Sequence, residues 1–184
     1  DGVFDGPPGF LQKAVAATRA AGALYVADEV QSGFGRTGDA MWGFQRHGVI
    51  PDLVTMGKPM GNGYPVAGVA VRPDVIDEFG RKARYFNTFG GNAVAIRAAA
   101  AVLDVIEKEN LVENAREVGL YMRDRMRALQ TEYPQIGDVR GAGLFIGVEM
   151  ITDPESKTPD AALAAGIVNG LRDEKVLISG CAKA

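Results

Sequence analysis

Two short apolar runs, each broken off by a charged residue, constrain this chain most. Leu24-Tyr25-Val26-Ala27 ends at Asp28-Glu29, and Asp52-Leu53-Val54-Thr55-Met56 ends at Gly57-Lys58. Runs of this length and composition, bounded by charge or glycine, read as strands. A third, valine-rich strand is expected over residues 65–71. Ahead of the first run, the turn Gly6-Pro7-Pro8-Gly9 precedes a helical pattern over 10–21, with Leu11, Val15 and Thr18 on one face. Strands alternating with helices predict an α/β fold, a mostly parallel sheet with flanking helices. Residues 33–48, rich in glycine and aromatics, are expected as loop with short turns, and 57–63 as a glycine-rich loop.

Further along, Asn92 is placed to cap a helix reaching about residue 108, with Val94, Ala98, Val102 and Val105 at helical spacing. A second, amphipathic surface helix is predicted over 111–133, stopped by Pro134. Two short strands follow, 137–140 and 143–151, joined by Gly141-Ala142, then a helix over 160–174 and a last strand over 176–179. The domain boundary is placed near residue 110, with 1–110 part of one large domain and 111–184 part of a smaller α+β domain. The opening Asp1-Gly2-Val3-Phe4 and the closing apolar run read as the edges of a piece cut from something longer.

Composition narrows the function classes. The 184 residues are 47% hydrophobic and 23% charged, ordinary for a globular protein with a sizeable core. A formal charge of −3 gives no electrostatic reason to expect nucleic acid or an anionic membrane as partner. Cys181 is the only cysteine and His47 the only histidine, so neither an intrachain disulfide nor a cysteine or multi-histidine metal site can form. With neither a long apolar run nor a charged-then-apolar leader, a soluble, cytoplasmic protein is the expectation.

Three places carry residues with chemistry. Asp28 stands at the carboxyl end of a strand, where open α/β sheets bind ligands, and a carboxylate there can hold a cation or a protonated ring nitrogen; a solvated surface acid fits the position equally. Lys58 sits among Gly57, Gly61 and Gly63, which allow close backbone approach, and Pro59 biases it towards an extended backbone. A lysine in an enclosed cleft can form an imine with an aldehyde; a surface loop lysine is the plain alternative. Thr88-Phe89-Gly90-Gly91-Asn92 precedes a helix start, which suits an anion such as phosphate, though Asn92 alone suffices for capping. Gly33-Phe34-Gly35-Arg36-Thr37-Gly38 matches the glycine spacing of a dinucleotide fingerprint without its strand–helix context. Residues 24–29 resemble the apolar strand and acidic pair of a phosphate-loop ATPase, but Lys58 is followed by proline. A partner-binding module that kept the fold is the non-enzyme alternative.

In order and composition, Asp28-Glu29-Val30-Gln31-Ser32-Gly33-Phe34-Gly35-Arg36-Thr37-Gly38, Asp52-Leu53-Val54-Thr55-Met56-Gly57-Lys58 and Asn87-Thr88-Phe89-Gly90-Gly91-Asn92 resemble the class III aminotransferases. The likeness covers nearly the whole chain, including Arg140-Gly141-Ala142-Gly143-Leu144. Residues 56–63 most resemble the branch holding alanine–glyoxylate aminotransferases and ethanolamine-phosphate phospho-lyases. The resemblance implies a fold type I enzyme using pyridoxal 5′-phosphate. This chain would supply the second half of the large cofactor domain and part of the small one. Lys58 would carry the cofactor as a Schiff base and shuttle a proton, and Asp28 would pair with the ring nitrogen. Val30 would pack on a ring face, Gln31 would bond the phenolic oxygen, and Thr88 would reach the phosphate of a cofactor in the partner subunit of a homodimer. Amine and 2-oxo acid substrates follow for a transaminase, a phosphorylated amino alcohol for a phospho-lyase. The upstream phosphate loop, the aromatic covering the ring's other face and the downstream substrate arginine would lie outside this chain, so alone it is expected to be inactive.

Overall fold

The computed structural model describes residues 2–4 and 6–181. The chain divides into two compact units, one of residues 6–116 and one of residues 117–181 with the described residues before 6.

The first unit opens with α1, Phe10–Ala20. Gly22 closes it at φ 76°. The Ala23 amide reaches back to Thr18 O (3.0 Å) and the Gly22 amide to Arg19 O (2.9 Å), a paired closure that only a left-handed residue allows cheaply. Then come β1 (Val26–Asp28), β2 (Leu53–Met56) and β3 (Gly68–Val71), in the spatial order β1-β2-β3. β1 and β2 run parallel, with Val26 opposite Leu53 and Asp28 opposite Thr55. β2 and β3 run antiparallel, so the sheet has one pair of each kind where mostly parallel pairing was expected. The connection over 57–67 explains it. It turns back within a 3₁₀ helix, Lys58–Gly61, and has no crossover of the length a parallel return requires. The α/β class stands.

Strand alternation sorts the side chains. Ala27 is buried, while Val26 and Asp28 on the opposite face are exposed, so β1 is half-buried and not buried throughout. At the start of β2 the Asp52 carboxylate is buried and accepts the Tyr25 amide (2.8 Å), Arg72 and, at 3.5 Å, Arg19. That ties together the leading end of β1, the leading end of β2 and the residue after β3. The Tyr25 amide foremost, then the Arg19 and Arg72 cations, hold the Asp52 carboxyl below its ordinary range. α2, Pro73–Lys82, was not anticipated; its sequence signal was Pro73 at the first helical position. α3, Ala93–Lys108, begins where expected, with Asn92 Oδ1 accepting the Ala95 amide at 2.9 Å. Its buried residues are Ala95 and Ala99, whereas Val94 and Val105 of the anticipated face are exposed.

α4, Leu111–Glu132, crosses from the first unit into the second. In the second unit β4 (Ile136–Ala142) and β5 (Phe145–Met150) form an antiparallel hairpin pairing Ala142 with Phe145. The turn is therefore Gly143-Leu144, two residues beyond the expected Gly141-Ala142. A Cβ at Gly119 of α4 would lie 2.1 Å from Gly143 O, so helix and turn touch backbone to backbone. α5, Ala161–Asp173, is capped by Asp160, whose Oδ1 accepts the Leu163 amide at 2.8 Å. The expected strand over 176–179 does not form. No described strand pairs with it, and the Val176 amide instead closes the end of α5 on Leu171 O at 2.8 Å.

Candidate active site

Because β1 and β2 are parallel and in register, both present their carboxyl ends at one edge of the sheet. Asp28 is the last residue of β1. Lys58 comes two residues after Met56, the last of β2. One sheet edge thus carries an exposed carboxylate and an exposed amine on neighbouring strand ends. Asp28 Oδ1 accepts the Val30 amide (3.1 Å) and the Thr55 hydroxyl (3.2 Å), which steers the side chain back over the parallel pair. Among the described residues no hydrogen bond reaches Oδ2, leaving it open to an incoming donor.

Lys58 does not continue the strand in extended form as its proline neighbour suggests. It opens the 3₁₀ helix with Pro59 second, because the Met60 amide bonds Gly57 O (2.7 Å) and closes a turn around the pair. Asn62, left-handed at φ 44°, ends that helix. The turn packs against α3. Val30 joins the two strand ends: its methyls stand 3.7 Å from where a Cβ of Gly57 would be. A larger residue at 57 would close the space between Val30 and the lysine turn.

Of the sequence-predicted residues, Asp28, Val30 and Lys58 therefore share this edge, and Gln31 is exposed on the turn that leaves it. Among the described residues Thr88 makes no hydrogen bond to any of these. It lies in the exposed loop between α2 and α3, whose shape is set by Asn87: its Oδ1 accepts the amides of Phe89 (3.2 Å) and Gly90 (2.9 Å). His47 and Cys181 take no part here; the His47 carbonyl accepts Gln12 at 2.5 Å, and Cys181 is exposed.

Sequence reasoning quoted Glu29 within a motif but gave it no role. Its side chain is 2% exposed. Oε2 accepts the Ser32 hydroxyl (2.8 Å) and the Gly43 amide (2.7 Å), while Oε1 accepts the Phe44 amide (2.8 Å). The usable signal was the acidic pair itself: strand alternation must send one of two consecutive acids inward.

Chemically, the edge offers an acceptor-only carboxylate, a primary amine and an apolar surface between them. This donor set fits a flat heteroaromatic whose protonated nitrogen meets Asp28 and whose carbonyl carbon meets Lys58, and so fits pyridoxal phosphate.

Comparison with known proteins agrees with that fit. The model of the family described as "Aminotransferase class-III" matches residues 1–183. The chain is 47% identical over 177 residues to the mitochondrial alanine–glyoxylate aminotransferase 2 homolog 2 of Arabidopsis thaliana, covering 96% of this chain and 37% of that protein. It is 49% identical over 159 residues to the human mitochondrial alanine–glyoxylate aminotransferase 2, covering 86% of this chain and 31% of that protein. Among solved structures, a phospholyase from Arthrobacter in complex with phosphoethanolamine superposes with a TM-score of 0.93 at 44% identity, over 97% of this chain and 42% of that one. The chain spans about a third of the length of the curated relatives it matches. The expectation of a cytoplasmic protein is overturned here, since both of these relatives are mitochondrial by name.

Proposed function

This chain belongs to the class III aminotransferases, and from that premise we propose that it is a stretch of a pyridoxal-phosphate-dependent transaminase in which Lys58 holds the cofactor. The enzyme would move an amino group from an amine or amino acid to a 2-oxo acid. The observation that supports this best is the pairing of Asp28 and Lys58 on the carboxyl ends of adjacent parallel strands.

When bound, pyridoxal phosphate supplies an aldehyde that condenses with amines and a ring that accepts the electron pair left at substrate Cα. The chain's residues do the rest. Asp28 keeps a proton on the ring nitrogen by ion pairing through its open Oδ2, which favours the charged form. The Thr55 hydroxyl and the Val30 amide hold that carboxylate in place from its other oxygen. Val30 excludes water from one face of the ring, and Gln31 bonds the phenolic oxygen. Lys58 binds the cofactor through its amine. With substrate bound, the Lys58 amine would move the proton between substrate Cα and the cofactor's aldehyde carbon. Thr88 belongs to a second site: its exposed loop suits the phosphate of a cofactor held by the partner subunit of a homodimer. Residues 1–110 would then form part of the large cofactor domain, and 111–184 part of the small domain.

The likeness to a phospholyase supports one second reading, elimination of phosphate from a phosphorylated amino alcohol. Asp28 and Lys58 would act identically, since both reactions begin with loss of the Cα proton. Release of inorganic phosphate from phosphoethanolamine separates the two. The test of the shared site is borohydride reduction of the full-length protein followed by peptide mass spectrometry. The pyridoxyl group is expected on Lys58 and absent from Lys58→Ala; finding it on Lys82, Lys108 or another lysine would sink the assignment.

A further inference from the structure

We infer that Glu29 is a positioning residue for this site: its buried carboxylate holds in place the turn that presents Asp28, Val30 and Gln31. The inference rests on the reading of Asp28 and Lys58 as cofactor-holding residues. Residue 29 is held from every side. Its amide extends the β1–β2 pairing one step beyond the strand, to Thr55 O at 2.9 Å, and its carbonyl accepts the Gly33 amide at 3.1 Å. Its side chain reaches inward to Ser32, Gly43 and Phe44. Gly43 and Phe44 open the 3₁₀ helix Gly43–His47, so the carboxylate staples the exit of β1 to a segment 14 residues later. With Glu29 fixed inward, alternation leaves Asp28 turned to the other side, and Val30, in the turn that follows, lies beside Gly57 at the edge where Lys58 lies.

Only a carboxylate can do this. Two backbone amides approach two different oxygens, and neither amide can reverse its role as the Ser32 hydroxyl can. A glutamine at 29 has one acceptor oxygen and would set its own N–H group against the amide of Gly43 or Phe44. A buried donor left unsatisfied raises the population of open turns, and cofactor affinity falls in proportion to the closed fraction. Gly43 is constrained from the other side, because a Cβ there would stand 2.6 Å from Ser32 Cβ and 3.2 Å from Glu29 Oε2.

The test compares full-length wild type with Glu29→Gln, Gly43→Ala, Ser32→Ala and Lys58→Ala. In cofactor-free protein, amide hydrogen exchange at residues 30–33 and 43–44 is expected to rise about tenfold or more in Glu29→Gln and Gly43→Ala, and little in Ser32→Ala. Their affinity for pyridoxal phosphate should fall severalfold, because Asp28 is less well placed even while the turn stays closed; opening lowers affinity further only as it depletes the closed fraction. The pH titration of the bound cofactor's visible band should shift with it, because the Asp28 carboxylate is less well placed. Gly43→Ala reaches the same bracket independently should Glu29→Gln not fold. Faster exchange with unchanged cofactor affinity and titration would make Glu29 merely structural and overturn the inference. A protein-bound pyridoxyl adduct that still forms on borohydride reduction of Lys58→Ala would instead overturn the site reading, and the inference with it.

Discussion

Replacing Gly119 by alanine sets two sizeable effects against each other. In the middle of a 22-residue helix, glycine to alanine is ordinarily stabilising, by about 1 kcal/mol. Here the added methyl would stand 2.1 Å from Gly143 O, 2.3 Å from its carbonyl carbon and 2.6 Å from its Cα. Carbon and oxygen atoms in non-bonded contact rest at roughly 3.3–3.6 Å, so the hairpin turn must retreat by about 1 Å or more. Its neighbour resists, because Arg123 Nη1 donates to Gly141 O at 2.6 Å from the same helix. Backbone has no rotamer to which it can escape, which puts the overpacking cost at the upper end, about 3 kcal/mol. Clash less propensity leaves a net loss of about 2 kcal/mol. Urea denaturation of the full-length protein should show a lower midpoint at unchanged slope. Ala115→Gly, one turn earlier at a buried site, should also destabilise, by about 1 kcal/mol. If Gly119→Ala is as stable as the parent or more so, helix propensity alone governs both positions and the backbone contact is refuted.

Three more predictions follow from the first unit. Asp28→Asn should keep the full-length protein folded while slowing Cα proton abstraction by about 10² or more; turnover within a few-fold of wild type would show that Asp28 is not the ring nitrogen's partner. Asp52, whose carboxyl is held below its usual range, contributes stability that is present above the unfolded value of about 4 and is lost as pH falls through the lower folded value. The stability gap between wild type and Asp52→Asn should therefore be widest near neutrality and close in acid, and a gap that widens in acid would reverse the sign. Finally, mixing full-length Lys58→Ala with full-length Thr88→Ala should restore activity above either mutant, since one site of the two-fold heterodimer inherits neither lesion. No rise among heterodimers shown to form would place Thr88 in its own subunit's site.

What was legible in the sequence was local in origin. Asn92 and Asp160 identify their helix starts because a cap needs only a side chain and an amide three residues on. What failed depended on neighbours distant in sequence. Residues 176–179 have the composition of a strand, but a strand exists only against a partner, and the described residues supply none. α3 is apolar almost all round, so its own pattern could not say that Ala95 and Ala99 would face inward in place of the valines. Lys58 was expected to be extended, yet a single hydrogen bond from Met60 to Gly57 folds it into a turn. The residues proposed to hold the cofactor were reached by resemblance and by strand ends together. Neither alone distinguishes Asp28 from a solvated acid.

Asp28 and Glu29 differ by one methylene and stand side by side, yet the fold gives them opposite surroundings. Along β1 the side-chain period of two sends Ala27 inward and Asp28 outward, and Glu29, one step beyond, turns inward again. Inside, a carboxylate must be matched by donors, and Ser32, Gly43 and Phe44 provide them from the chain itself. Outside, Asp28 commits one oxygen to Thr55 and Val30, and among the described residues its other oxygen takes no hydrogen bond. The inner acid is thus saturated and the outer one half-saturated, which is the division of labour a ligand site at a strand end requires. Exchanging the two residues, as Asp28→Glu with Glu29→Asp, preserves charge and composition but shortens the inner arm by one methylene. The shorter arm cannot reach both Gly43 and Phe44, so the swapped full-length protein should bind pyridoxal phosphate at least about tenfold more weakly. Equal affinity would mean that charge at this strand end, and not the reach of each side chain, is what the site requires.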